Sequence, residues 1–197
     1  MAKSILFLIS LFYAGSITVV ISSSTSAATT SFIQVSCRAT TYPTVCVQSL
    51  AGYASTIQKS HRKLAHTALS VSLEQAQSTR AFVNKLTKFK GLKSKEIEAI
   101  QDCLEEMNDS VDRISQSVQE LKTIGSSRGQ SQDFFWHMSN VQTWVSAALT
   151  DDTTCMDGFS DKGFNPRIKA SIKTRVTNTA QLTSNALSLI NHFAAKF

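Results

Sequence analysis

Four cysteines, Cys37, Cys46, Cys103 and Cys155, are the side chains in this sequence with the most definite chemistry. Thiols can ligate a metal, attack as nucleophiles or pair as disulfides. No Cys-x-x-Cys occurs and the spacings suit no common zinc site, so a metal role is set aside. An even cysteine count behind a secretory leader implies disulfides. Four cysteines allow three pairings. Cys37 and Cys46 are nine positions apart, where a local bridge closes easily, and that leaves Cys103 with Cys155.

Other candidate chemistry is thin. His61, His66, His137 and His192 are scattered, and the five-residue step from His61 to His66 is a poor one for a shared helix face. They read as surface or packing residues. The carboxylate pairs Glu105-Glu106 and Asp151-Asp152 are neighbours in sequence, and neighbours on a helix do not face one inward site. General acid–base work is therefore not supported. No glycine-rich phosphate loop, His-Glu-x-x-His or Gly-x-Ser-x-Gly appears. These residues describe a protein that is not an enzyme and needs no cofactor or metal. Trp136 and Trp144 read first as helix-packing residues, with a partner hot spot as the alternative. Asn108-Asp109-Ser110 is an N-glycosylation sequon, with Asn108 the acceptor.

The elements that carry these residues are helical. Seven glycines and two prolines in 197 residues favour long helices over a many-turned β fold. From Ile97 to Leu121, apolar residues fall at Ile97, Ile100, Leu104, Met107, Val111, Ile114, Val118 and Leu121. Their alternating steps of three and four mark an amphipathic helix with one buried seam. Ser94 is the expected N-cap, with Glu96 and Glu98 in the positively polarised first turn. A second helix is expected over Lys63 to Phe89, stopped by Gly91. A third starts with Asp133 as its cap and carries Phe134, Met138, Val141, Val145 and Ala148 on one stripe. Asn165-Pro166 opens a last helix, as N-cap and N1 proline. The segment 125–132, GSSRGQSQ, reads as a polar loop. Before the long helices, Phe32 to Arg38 and the stretch after Pro43 form a helical hairpin that sulfur can close.

Short connections favour antiparallel neighbours, so the fold class is all-α: an up-down-up-down four-helix bundle with an N-terminal helical hairpin and two disulfides. Cys103 flanks the seam early in its helix, and Cys155 lies just beyond the end of the next. In an antiparallel pair those two places meet. No pocket is evident, and a stiff, pinned bundle suits a protein that offers a rigid face to a partner.

The first residues, with Lys3, an apolar run from Ile5 to Ile21 and then Ser26-Ala27-Ala28, read as a cleaved signal peptide over 1–28. The folded domain is then 29–197, secreted, with no later segment apolar enough to span a bilayer. The chain is basic, with a formal net charge of +6. Basic clusters occur at His61-Arg62-Lys63, from Lys85 to Lys95, and from Arg167 to Arg175. Each is first a solvated face, with weak attraction to an acidic polysaccharide as the functional alternative. Nucleic acid is not indicated, because aromatic residues do not interleave with the basic ones.

The stretches CRATTYPTVCVQSL, AIQDCLEEMNDSVDRISQSVQEL and VQTWVSAALTDDTTCMDGF resemble the plant invertase and pectin methylesterase inhibitor family, from about Phe32 to Phe193. The resemblance implies a signal peptide, a helical hairpin and a four-helix bundle. It also implies bridges that pair first with second and third with fourth cysteine. The invertase branch of the family uses a Pro-Lys-Phe motif that is absent here, while Trp144 in VQTWVSAALTDDTTC and the basic balance resemble the esterase branch. The resemblance therefore implies a secreted, apoplastic inhibitor of pectin methylesterase. It would form a reversible, non-covalent 1:1 complex, favoured at the acidic pH of the wall, that blocks the substrate cleft. Contacts are expected from the helices over Ile97 to Leu121 and Asp133 to Leu149, with Asp112, Gln142, Thr143 and Trp144 as candidates. Inhibition of acid invertase, or binding of wall polysaccharide without inhibition, are the competing expectations.

Overall fold

Proline begins two of the helices. Its fixed φ suits a first helical position, where no intrahelical N–H bond is lost. In the computed structural model, which describes residues 28–124, 132–160 and 163–197, Pro43 opens α2 and Pro166 opens α7. α1 spans 28–37 and α2 spans Pro43–Leu50. A 3₁₀ turn, Ala51–Tyr53, leads into α3, Ala54–Ile57. Four long helices follow: α4, His61–Leu86; α5, Ser94–Thr123; α6, Gln132–Asp157; and α7, Pro166–Ala194.

Each long helix packs on its neighbours in chain order, and α7 closes back on α4. The contacts between α5 and α6 step in opposite directions along the two helices: Cys103 with Cys155, Ser110 with Asp152, Arg113 with Asp151, and Glu120 with Asn140 and His137. The pair is therefore antiparallel, and the expected bundle is the observed one. Both disulfides are present, Cys37–Cys46 and Cys103–Cys155, and the described residues hold no free cysteine.

The hairpin of α1 and α2 packs on α4 and α7 through Ile33, Cys37, Cys46 and Leu50 in the core, and one amide ties its turn to α7. The Asn185 side chain on α7 accepts from the Tyr42 backbone N–H and donates to the Tyr42 carbonyl, both at 2.9 Å. It thereby satisfies the Tyr42 N–H ahead of α2 and adds a second hydrogen bond to a carbonyl that already accepts from the Cys46 N–H at 3.0 Å.

Several boundaries differ from those expected. α4 begins at His61, because the Ser60 hydroxyl accepts from the Lys63 N–H. Gly91 lies past its end with φ of 87°, where a Cβ would be strained. Ser94 is not the N-cap of α5 but its first residue, and Lys93 holds the cap position. Glu96 does the capping. It accepts from the backbone N–H of Lys93 at 2.8 Å and from that of Asn165 at 2.6 Å, which ties the start of α5 to the start of α7. Those two N–H groups hold the Glu96 carboxyl below its ordinary range. Asp133 lies inside the first turn of α6, since Gln132 is already helical. The remainder of the expected loop, 125–131, lies outside the described residues, as do residues 1–27 of the leader expected over 1–28, whose last residue, Ala28, begins α1. Cys155 sits within α6, not beyond it, because the polar run before Gly158 stays helical.

The seam of α5 is wider than its apolar pattern. Ile97 is 38% exposed, while Cys103, Ser110 and Ser117 are buried. These three recur every seven residues and line the side that meets α6. Small side chains let the two helices approach there, and hydropathy alone does not mark serine as a core residue.

Candidate interaction face

Asp151 and Asp152 sit in the last two turns of α6, both buried and aimed at different partners. Asp151 accepts from Arg113 Nε on α5 at 2.8 Å, and Arg113 also reaches Asp109 one turn away at 3.4 Å. Burial raises the Asp151 carboxyl, and Arg113 opposes that rise. Burial likewise raises Glu106, helped by the negative Asp151 and Asp109.

Asp152 turns inward. The Ser110 hydroxyl on α5 donates to its Oδ1 at 2.8 Å, and the Thr183 hydroxyl on α7 lies 3.2 Å from its Oδ2. Thr183 in turn lies 2.9 Å from the hydroxyl of Ser72 on α4. One buried side chain from each long helix thus joins a single polar chain through the bundle. Burial pushes the Asp152 carboxyl up to about 7, against the pull of the Ser110 and Thr183 hydrogen bonds. Asp151 is held by a guanidinium and Asp152 by two hydroxyl groups, so both aspartates join helices of the bundle.

Farther up the same seam, Glu120 on α5 receives two groups from α6. Asn140 Nδ2 donates to its Oε1 at 3.0 Å, and His137 Nδ1 lies 2.8 Å from the same oxygen. Burial would raise the Glu120 carboxyl, but those two hydrogen bonds and the His137 charge outweigh it and hold it low. His137, Asn140, Trp144 and Asp151 fall on one side of α6 by their spacing. The α5–α6 seam is therefore clamped by polar pairs above and below Trp144, and by the Cys103–Cys155 bridge at its end.

The candidate contact residues are spread around this seam. Thr143 is exposed on the outer face of α6, and Trp144 is half-buried on the α5 side. Asp112 is exposed on α5. Gln142 lies on the opposite flank of α6, where its Nε2 donates to Asn191 on α7 at 2.8 Å. Asn108 is exposed in the middle of α5, while Ser110 of the same sequon is committed to Asp152. Trp136 departs from its first reading as a packing residue: it is 61% exposed, beside an exposed Phe135, whereas Trp144 is half-buried. Phe135 and Trp136 sit in the first turns of α6, outside the core stripe of Phe134 and Met138. The Arg113–Asp151 and Glu120–His137 pairs were missed by sequence reasoning. Once the antiparallel register is known, opposite charges at matching heights on α5 and α6 give them away.

The comparisons fit this architecture. A sequence model described as plant invertase/pectin methylesterase inhibitor matches residues 31–189. The chain belongs to that family. Pectinesterase inhibitor 11 of Arabidopsis thaliana is 51% identical over 203 aligned residues, with 100% of each chain covered. The 21 kDa protein of Daucus carota is 52% identical, covering 90% of this chain and 91% of its own. A crystal structure of a mutant form of a pectin methylesterase inhibitor from Arabidopsis shares the fold, with a TM-score of 0.63 and 19% identity. It covers 79% of this chain and 92% of that one. Membership in a family of inhibitors agrees with the non-enzymatic reading of the sequence. Among the described residues, no helix is long and apolar enough to cross a membrane.

Proposed function

We propose that this chain is a secreted inhibitor of pectin methylesterase. Residues 1–28 are removed as a signal peptide, and 29–197 act in the apoplast as one inhibitor domain. The observation that carries the reading is the 51% identity, end to end, with a protein named pectinesterase inhibitor. The bundle binds one enzyme molecule reversibly and without covalent chemistry. It occupies the substrate cleft and keeps pectin out. Contact comes from the outer face of α5 and α6, through Thr143, Trp144, Asp112 and, at the edge toward α7, Gln142. A complex of ordinary size buries about 1,600 Å² in total.

The clamped seam supports this role. Helices already joined by sulfur and buried hydrogen bonds lose little freedom when a partner lands on them, so less of the contact energy is spent on ordering. The basic ends of the bundle add weak attraction to acidic pectin.

The test is residual activity of pectin methylesterase and acid invertase, each titrated in parallel with the purified protein between pH 5 and 8. Loss of demethylation with untouched sucrose cleavage supports the proposal. Loss of sucrose cleavage alone assigns the chain to the other branch of its family. Pectin binding with both enzymes fully active reduces it to a polysaccharide-binding protein.

A further inference from the structure

At one end of the bundle, where α4 begins and α5 ends, the surface forms an open groove of about 500 Å³. Arg62, Lys63, His66 and Lys122 line it, with Gln58 and Thr67 among the neutral polar groups. None of the described lining residues is acidic. Arg62 and Lys63 spend hydrogen bonds on neutral acceptors, the Lys122 carbonyl at 3.3 Å and Gln58 Oε1 at 2.7 Å. Among the described residues, Arg62, Lys63 and Lys122 form no ion pair. The His66 imidazole is held below its ordinary range by burial and then by the Lys122 and Arg62 charges. Positive charge has thus been collected in one concave place, and no described residue supplies a counter-charge to it. A second hollow on the surface, lined by Lys173 and Arg175 on α7, is different. There the Arg175 guanidinium already lies over the Phe82 ring, 4.2 Å from its centroid.

We propose that the groove at Arg62, Lys63, His66 and Lys122 binds the carboxylates of a de-esterified galacturonan. The cations match the uronate charge. The amide and hydroxyl groups between them match sugar hydroxyls. Among the described residues the lining carries no Phe, Tyr or Trp on which successive nucleobases could stack, which disfavours single-stranded nucleic acid. The groove's volume lies in the range of ordinary ligand sites. Each methyl ester that an esterase hydrolyses leaves one carboxylate, so the groove takes the product of the reaction proposed to be inhibited. The inhibitor then accumulates where demethylation has already run. This rests on the reading that the protein works on pectin methylesterase, but the groove is separate from the proposed α5–α6 contact face.

The experiment measures hexagalacturonate binding by calorimetry in 0.1 M NaCl. It compares the wild type, Arg62→Gln/Lys122→Gln, and a control of equal charge loss at the far end, Lys85→Gln/Lys173→Gln. The proposal predicts at least tenfold weaker binding for the groove variant and less than twofold change for the control. The His66 ring resonances shift on binding, and a fully methyl-esterified hexamer does not bind. Equal weakening of both variants would reveal diffuse charge attraction and overturn the proposal. So would equal affinity for the methylated hexamer, displacement by sulfate at matched ionic strength, or no binding by the wild type. Esterase inhibition is measured on the same samples and should be equal in the wild type and the groove variant. If the wild type binds hexagalacturonate but inhibits no esterase, the inhibitor reading falls and the groove stands.

Discussion

Asp152 on α6 accepts a 2.8 Å hydrogen bond from Ser110 on α5, and both side chains are fully buried. A carboxylate in that place must either be charged at a high solvation cost or carry a proton. Its pKa near 7 says that it carries one through the acidic range. Proton supply agrees. Thr183 has one hydroxyl proton and three oxygens within reach, on Asp152, Thr179 and Ser72. A proton on Asp152 adds a donor to a chain that is otherwise short of one.

The contribution of Asp152 to stability should therefore fall as pH rises from about 4 to 7. In that window the folded state holds a proton on Asp152 that the unfolded chain has released, so unfolding sheds a proton and is favoured by alkali. The rise to about 7 corresponds to at most about 4 kcal/mol, fully expressed above pH 7. Asp152→Asn keeps the shape and supplies the missing donor. It should raise the melting temperature at pH 8, change it little at pH 5, and flatten the curve between. A variant less stable than the wild type at pH 8 would contradict the assignment.

Glu120 carries the opposite sign. Its carboxyl is held low by Asn140 and His137, so its contribution is present above the ordinary carboxylate range and lost as pH falls through it. Glu120→Gln should leave stability near pH 3 almost unchanged and cost about 1 kcal/mol at pH 6, read from urea midpoints.

Arg113 protects Asp151. Removing it strands a nearly buried carboxylate beside Asp109 and Glu106. Arg113→Ala should cost about 1 to 3 kcal/mol. Arg113→Ala with Asp151→Ala should cost less than the sum of the two single changes, and full additivity in that cycle would show that the pair is not coupled.

The two disulfides should differ. Cys103–Cys155 closes a separation of 52 residues and Cys37–Cys46 one of 9. Loop-closure entropy gives about 4 and about 3 kcal/mol respectively. Cys103→Ser/Cys155→Ser should lower the denaturation midpoint more than Cys37→Ser/Cys46→Ser. The reverse order would mean that the hairpin bridge acts through the native state, by holding α1 and α2 on Asn185.

Much of this fold was legible because its signals are local. Pro43 and Asn165-Pro166 announce helix starts, Gly91 announces a stop, and three-four apolar spacing from Ile100 to Leu121 gives the α5 stripe. The cysteine pairing follows once α5 and α6 are antiparallel. Other features depend on partners distant in sequence. Ser110, Ser117 and Asp152 look like surface residues until the α5–α6 register buries them. Glu96 looks like a first-turn acid, and its second partner, the Asn165 backbone, lies 69 residues away. The groove at Arg62 and Lys122 joins two helices whose basic residues, taken singly, read as solvated faces. Trp136 was misread because a large apolar residue beside a core stripe carries no mark of facing outward.

The central claim is that the outer face of α5 and α6 closes the esterase cleft, and Thr143→Arg tests it most directly. Thr143 is exposed and no described side chain depends on its hydroxyl, so arginine there leaves the bundle intact but cannot fit a closely packed contact. The measurement is the inhibition constant against pectin methylesterase for the wild type and this variant, with thermal unfolding as the control for folding. The account predicts inhibition by the wild type, at least tenfold weaker inhibition by the variant, and unchanged unfolding. Equal inhibition by both, or none by the wild type, would contradict it.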